Sequence, residues 1–267
     1  MSDLNPPQSP GGQDVKTYQV PIQGEHFLNV VEDGQGPAAL LVHGGAGSWT
    51  NFTHQLRDLA RHFRVLAPDL RGHGSSPWPG PSDIDDFYQD LTTLVARLDL
   101  PPEFHLVGHS FGGYLAARFS AEQPERILSL ALLNTSGDLP QGLAYRFLET
   151  FSGGADLFHH YYPRMVSTGS EVARCLMRRT LKQWNSWDFF PRIQAPTLVI
   201  LGSRDPLIPL RKGREMAHRI PKSRLEVLPG GGHVSMAEQP ETVTRWLSQH
   251  MTSSPGTSPD RAAGHSA

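Results

Sequence analysis

A serine stands midway between two glycines in Gly108-His109-Ser110-Phe111-Gly112, directly after the apolar run "FHLVG" (104–108) and directly before a helix-like segment, residues 111–122. Serine attacks a carbonyl well only when a base takes its proton and fixed N–H donors hold the oxyanion that forms. A tight strand-to-helix turn in a strained conformation lifts such a hydroxyl clear of a sheet. Side chains two residues before and two after would collide in that turn, so Gly108 and Gly112 carry none, and Gly113 permits close helix packing. The pentapeptide alone is a weak signal, and its strand-then-helix context gives it weight. The competing reading is a serine that only caps a helix. His109 is next to the nucleophile in sequence but should point away from its hydroxyl, which suits a structural role.

Other chemistries are less well supported. The single cysteine, Cys175, excludes an intrachain disulfide, and its flanks "VARCLMR" do nothing to activate a thiol. His159 and His160 are neighbours that would point apart on a helix, and no carboxylate stands at ligand spacing, so no metal site is expected. "GAGSWT" lacks the third glycine of a dinucleotide loop, and no Gly-Lys pair offers a phosphate loop. Charge is balanced, 24 basic against 26 acidic residues, which argues against nucleic acid or an anionic membrane as partner. No apolar run reaches the ~18 residues of a membrane helix, and "MSDLNPPQSPGGQD" does not read as a signal peptide. A cytoplasmic protein without membrane insertion is the expectation. Nothing in the sequence speaks to oligomeric state.

The elements that must position the serine follow from hydrophobic pattern. "AALLV" (38–42), "FRVLA" (63–67), "FHLVG" (104–108), "ILSLALL" (127–133), "TLVIL" (197–201) and "LEVL" (225–228) read as strands, several of them apolar on both faces as buried parallel strands must be. "TYQVPI" and "FLNVVED" read as an edge hairpin. Ile84, Phe87, Leu91, Leu94, Val95 and Leu98 form one helical stripe over 84–98, and residues 240–251 open a helix with Pro240 and carry Val243 and Trp246 inward. The alternation means an α/β fold with a mostly parallel sheet. Residues 1–15 and 252–267 are tails rich in Pro, Gly and Ser that cannot repay the entropy of ordering. Residues 135–196 contain no strand-like run and many aromatics. They read as a helical insertion of about 60 residues, far longer than an ordinary connection, and as a lid over the site.

With these motifs in place the chain resembles the α/β-hydrolase superfamily over about residues 16–251. "LLVHGGAGSW" resembles the family's oxyanion loop, "VLAPDLRGHGSS" the segment after its fourth strand, "GHSFGG" its nucleophile elbow, and "LGSRDPLIP" and "LPGGGHVSMAEQPE" its acid and histidine loops. The resemblance implies an eight-stranded, mostly parallel sheet, with the core at 16–134 and 197–251 and a helical cap at 135–196. It implies Ser110 as nucleophile, His233 as base and Asp205 as orienting acid, with Asp138 as the rival because some members place the acid after the preceding strand. The N–H groups of Phe111 and Gly45 are the implied oxyanion hole, with Ala46 as fallback. His43 is expected to shape that loop; Asp69, Arg71, Gly72 and Gly74 are expected to be scaffold.

The implied reaction is acyl transfer to water, without a cofactor, on a small-molecule acyl substrate. The fold carries many related chemistries, so the expectation is hydrolysis of carboxylic esters with small to medium apolar acyl groups. Lactone or carbon–carbon (diketone) hydrolysis is the alternative. A ligand-binding relative without catalysis is disfavoured because no triad member or elbow glycine is missing. Trp49, Phe151, Tyr161 and Trp184 are the candidate substrate contacts. The cap cations Arg164, Arg174, Arg178, Arg179 and Lys182 read as solvated surface rather than as a site for an acidic substrate.

Overall fold

The computed structural model describes residues 15–155 and 167–254. Its centre is an eight-stranded sheet: β1 (Lys16–Gln23), β2 (His26–Asp33), β3 (Ala38–Val42), β4 (Arg64–Pro68), β5 (Phe104–His109), β6 (Ile127–Leu133), β7 (Thr197–Gly202) and β8 (Ser223–Leu228). Their spatial order is β1-β2-β4-β3-β5-β6-β7-β8. β1 pairs antiparallel with β2, and β2 antiparallel with β4; every later pairing is parallel.

Side-chain alternation splits the core between the two faces of the sheet. Leu40, Leu66, Leu106 and Leu130 join one apolar cluster under α2 (Ile84–Arg97) and α3 (Phe111–Glu122). Ala39, Leu41, Val65, Val107 and Ile200 join the other, under α1 (Thr53–Leu59) and the helix Pro240–Thr252. Both faces of β3, β5 and β7 are buried, the physical reason these strands are unbroken apolar runs. α2 starts on a capping box, with Asp83 and Asp86 bonded reciprocally across the first turn.

Between β6 and β7 the described residues form α4 (Leu143–Phe151) and α5 (Ser170–Cys175), which runs straight into a π-helical turn, Leu176–Thr180. They form no strand beyond two isolated bridges, Asp138 with Asn185 and Thr168 with His73. α6 (Leu210–Arg219) follows β7. α7 (Ser235–Glu238) and α8 (Pro240–Thr252) complete the described chain.

The tail boundaries differ slightly from the sequence reading. Val15 is buried in the second apolar cluster. α8 extends through Thr252, and the Ser254 hydroxyl donates to the His250 carbonyl at 2.8 Å, so the helix holds its own end. The rest of both tails lies outside the described residues. The helices α1 and α6 are additions to the sequence reading. α6 is mostly polar and buries only Gly213, Met216 and Ala217, which leaves little apolar stripe to detect.

Candidate active site

The strand order reverses direction between β3 and β5, the crevice where open α/β sheets bind ligands at the carboxyl ends of their strands. Ser110 sits there, between β5 and α3, with φ 49° and ψ −116°. The turn is possible because of the glycines: a Cβ on Gly108 would stand 2.4 Å from the Gly112 carbonyl oxygen, and one on Gly112 would stand 2.3 Å from that of Val42. Only three described non-glycine residues have positive φ, namely Ala46, Ser110 and Asn134, and each follows the end of a central strand at this edge. Strain of this kind costs of order 1–3 kcal/mol per residue and persists where surrounding structure over-determines it.

A chain of hydrogen bonds runs from the serine. His233 Nε2 lies 3.0 Å from Ser110 Oγ, and His233 Nδ1 lies 2.9 Å from Asp205 Oδ2. A carboxylate can only accept, so Nδ1 carries the proton and Nε2 is left to accept from the serine hydroxyl. Asp205 comes from the loop after β7, and its side chain is 1% exposed. Its Oδ1 accepts from the N–H groups of Leu207 (2.8 Å) and Ile208 (2.9 Å), and its Oδ2 also accepts from Asn134 Nδ2 (2.9 Å). Burial pushes the carboxyl pKa up, but the hydrogen bonds and charge of His233, with those of Ile208 and Asn134, outweigh it and hold Asp205 below its ordinary value. It is therefore ionised at neutral pH.

The rival acid is engaged elsewhere. Asp138 Oδ2 accepts from Lys212 Nζ at 2.7 Å and from Trp187 Nε1 at 3.1 Å. Two buried histidines shape the loop after β3. His43 Nδ1 donates to the Gly44 carbonyl (2.7 Å) while its Nε2 accepts from the Leu70 N–H (2.9 Å). His73 Nδ1 donates to the Arg71 carbonyl (2.8 Å) and its Nε2 accepts from the Ala46 N–H (3.1 Å). Burial drives His43 down to about 4; burial, then the neighbouring His43, drives His73 to about 3, so both stay neutral. The Ala46 N–H is thus already used. The N–H groups of Gly45 and Phe111 donate to no described residue, and both residues line the same cavity as Ser110 and His233. Asp69 steadies this loop from below: buried, it accepts from Trp49 N–H at 2.9 Å, Ser75 N–H at 3.0 Å and Asn29 Nδ2 at 3.0 Å.

That cavity has a volume of about 280 Å³, at the small end for a ligand pocket. Its roof is apolar: Leu148, Leu176, Met177, Leu181 and Trp184 from the insertion, with Leu207 from the Asp205 loop. Among the described residues no Lys, Arg, Asp or Glu lines it. Lys182 pairs with Glu149 at 2.8 Å and Arg179 lies 3.8 Å from Asp83. Tyr145, also in the wall, is fixed by its hydroxyl donating to the Met177 carbonyl. Trp184 is in the wall too, its Nε1 donating to the Ser136 carbonyl at 3.1 Å and its ring 6.2 Å from that of Phe111.

The other sequence-derived contacts fare differently. Trp49 is a correction: it packs with Val234 and Trp246 against the opposite apolar cluster and does not line the cavity. The 3-10 turn Trp49–Phe52 leads into α1, whose Leu56 and Leu59 belong to that same opposite cluster. Phe151 closes α4. The described residues stop short of its side chain, and Tyr161, Arg164, His159 and His160 likewise lie outside them. Sequence reasoning missed Tyr145, Leu148, Leu176, Met177 and Leu181. Tyr145 and Leu148 stand one helical turn apart on α4, a spacing that marks a face without saying what it faces.

The sequence matches the Alpha/beta hydrolase family over residues 39–246. It is 27% identical to a pimeloyl-[acyl-carrier protein] methyl ester esterase of Chromobacterium violaceum, over 82% of this chain and 95% of that one. Another curated relative, 28% identical, is longer, and the chain spans 62% of its length. Among solved structures, a thermophilic esterase from Thermogutta terrifontis superposes with a TM-score of 0.73 at 28% identity, covering 89% of this chain and 100% of that one. The enol-lactonase from Burkholderia xenovorans LB400 superposes with a TM-score of 0.78 at 24% identity, over 88% and 100%.

Proposed function

Since the chain belongs to the alpha/beta hydrolase family, we propose that it is a serine hydrolase cleaving carboxylic esters with small to medium apolar acyl groups. The observation that carries this reading is the Ser110–His233–Asp205 hydrogen-bonded chain opening into an apolar cavity. His233 Nε2 takes the Ser110 proton as Oγ attacks the ester carbonyl carbon. The oxygen that becomes negative sits against the N–H groups of Gly45 and Phe111, each worth about 3 kcal/mol by comparison with such donors in other hydrolases. Asp205 stabilises the imidazolium. The tetrahedral intermediate collapses, the alcohol leaves with the proton held on Nε2, and the acyl group remains on Oγ. Water then repeats the sequence: His233 takes its proton, hydroxide oxygen adds to the acyl carbon, and collapse returns the proton to Ser110 and frees the acid.

The substrate class follows from the walls. A carboxylate on the acyl chain would be desolvated against leucine, methionine and tryptophan with no described cation to meet it. Uncharged chains gain from the same walls, about 25 cal/mol per Å² of apolar area removed from water.

The test is hydrolysis of p-nitrophenyl acetate, butyrate, octanoate and hemisuccinate by the wild type and by Ser110→Ala. The expected result is turnover of the neutral esters, weak turnover of the hemisuccinate, and loss of at least about a thousandfold in kcat in the variant. A folded wild type inactive on every ester, but active on lactones or vinylogous diketones, would replace ester hydrolysis by the alternative chemistry on the same residues. Equal activity in both proteins would remove Ser110 as nucleophile.

A further inference from the structure

His233 belongs to a segment ill suited to holding a side chain still. It follows Gly230, Gly231 and Gly232 in the connection between β8 and α7, where the backbone has maximal freedom to lose. Two of the connection's N–H groups, those of Gly232 and Val234, are pinned by its own neighbour Glu238, while the Gly230 N–H donates to Ser203 Oγ at 2.8 Å. Glu238 lies in α7, just beyond the connection, so it stiffens the segment without placing it against Ser110. The Gly231 carbonyl accepts from the Arg204 N–H at 2.8 Å, and the two carbonyls that follow it are held by side chains. Gly232 O accepts from Asn134 Nδ2 at 2.9 Å, and His233 O accepts from His109 Nε2 at 2.8 Å. His109 ends β5, the strand that carries the nucleophile, and Asn134 directly follows the neighbouring β6, whose Leu133 pairs with His109.

We propose that Asn134 and His109 are positioning residues that hold the His233 imidazole in register with Ser110 and Asp205 by gripping the two consecutive carbonyls of the base's own loop. The proposal rests on the reading of Ser110, His233 and Asp205 given above.

Asn134 is built for this task. It is fully buried, with φ 46°. Asn is among the few residues that tolerate this region, and glycine would tolerate it better, so backbone need alone does not call for the amide. The amide is instead fully used. Nδ2 donates to Asp205 Oδ2 and to Gly232 O, and Oδ1 accepts from the Ser235 hydroxyl. Turning the amide over would aim Oδ1 at a carboxylate and a carbonyl, neither of which can donate, so its orientation is fixed by its partners. Asp205 Oδ2 therefore receives His233 and Asn134 together, and the same amide group holds the acid and the base's backbone.

His109 completes the grip from the nucleophile's side, one peptide bond from Ser110. Its partner is a carbonyl, so Nε2 carries the proton. Nδ1 is then a bare acceptor, and it is buried without a partner among the described residues. Such an atom is costly, and the Nε2 contact with His233 supplies a reason to keep the ring. Burial lowers its pKa to about 3, so it remains a neutral donor at any ordinary pH.

The test compares Asn134→Asp, Asn134→Gly, His109→Leu and His109→Gln with wild type and His233→Ala, each checked for folding by thermal melting. Kinetics on p-nitrophenyl butyrate are read beside the far-downfield proton resonance of the His233 Nδ1–H. Asn134→Asp keeps the shape and the Ser235 contact but loses both donations. Asn134→Gly keeps the backbone conformation and carries the test if a buried carboxylate prevents folding. Both are expected to lose about a hundredfold in kcat with KM within about threefold, and to shift or broaden the downfield resonance, because misplacing the base costs the chemical step and not substrate binding. His109→Leu is expected to lose about tenfold, and His109→Gln to recover most of it, since the glutamine amide can donate where Nε2 did. Wild-type kcat and resonance in folded Asn134→Gly, or a His109→Gln variant no more active than His109→Leu, overturns the proposal. Full activity in His233→Ala would instead sink the underlying assignment of the base, and the positioning role with it.

Discussion

The floor of the cavity and its roof are made of different material. On the floor, Asp205 takes four N–H donors, the Asn134 amide is fully satisfied, and three residues sit at positive φ at the ends of central strands. On the roof, leucine, methionine and tryptophan side chains meet the cavity from short helical pieces, one of them a π-turn, and α4 leaves Leu143 and Phe147 exposed. Hydrogen bonds are directional and fix atoms to tenths of an ångström, whereas apolar contacts fix only volume. On the proposed reading, a proton relay through Ser110, His233 and Asp205 needs the first kind of precision, and the choice of acyl chain needs only the second.

The largest test of that contrast is on the floor. Asp205→Asn keeps the shape but removes the carboxylate that fixes the His233 tautomer, and kcat is expected to fall about ten-thousandfold. A loss under tenfold in steady-state assays would show that the floor is not tuned as its hydrogen bonds imply.

The second test is pH. His43 and His73 beneath the loop after β3, His109 beside Ser110, and His105 within β5 are all buried, and burial lowers their pKa values from 6.5 to about 4, 3, 3 and 4. Folding keeps each neutral, whereas the unfolded chain protonates them below 6.5. Their contribution to stability is complete above pH 6.5 and is lost as pH falls toward the folded values. Each contributes a slope of up to about 1.4 kcal/mol per pH unit inside that window. Chemical denaturation should show stability falling by several kcal/mol between pH 6.5 and 4.5, and His105→Asn should remove about one proton from the slope. A flat profile over this range would contradict the neutral, buried state of the floor histidines.

The smallest expected effect is on the roof. Leu181 lies across the cavity from Gly45, about 4 Å from where a Cβ would stand on that glycine. Leu181→Ala should leave kcat on the acetate ester within about threefold and raise the octanoate-to-acetate ratio of kcat/KM by about tenfold, the scale of one or two methylenes in an apolar pocket. An unchanged ratio would move chain-length selection away from this wall.

The same division explains what could be read in advance. β3 and β6 are legible to the residue because burial on both faces leaves an unbroken apolar run of five to seven residues, and α3 because it directly follows the elbow. The floor was legible from local geometry only at the elbow, where glycines stand because a Cβ would strike a carbonyl; Asp205 and His233 were legible through the family resemblance of their loops. Trp49 was misjudged because a large aromatic near an oxyanion loop has no local mark of which face of the sheet it will cover. The roof residues were missed for a related reason, since leucine and methionine at helical spacing look the same over a cavity as over a core.

Taken alone, the amino-acid sequence determined the sheet strands and the elbow around Ser110, because these depend on short-range sterics and on periodicity; the acid and histidine loops were legible only through the resemblance of their motifs to those of the α/β-hydrolase superfamily. Only the tertiary structure decided that the Ala46 N–H is taken by His73, that Asp138 is engaged by Lys212 and Trp187, and that Asn134 grips Gly232 from 98 residues away. Those pairings follow from how the strands stack and where their carboxyl ends converge, and a side chain carries no local record of a partner that far along the chain.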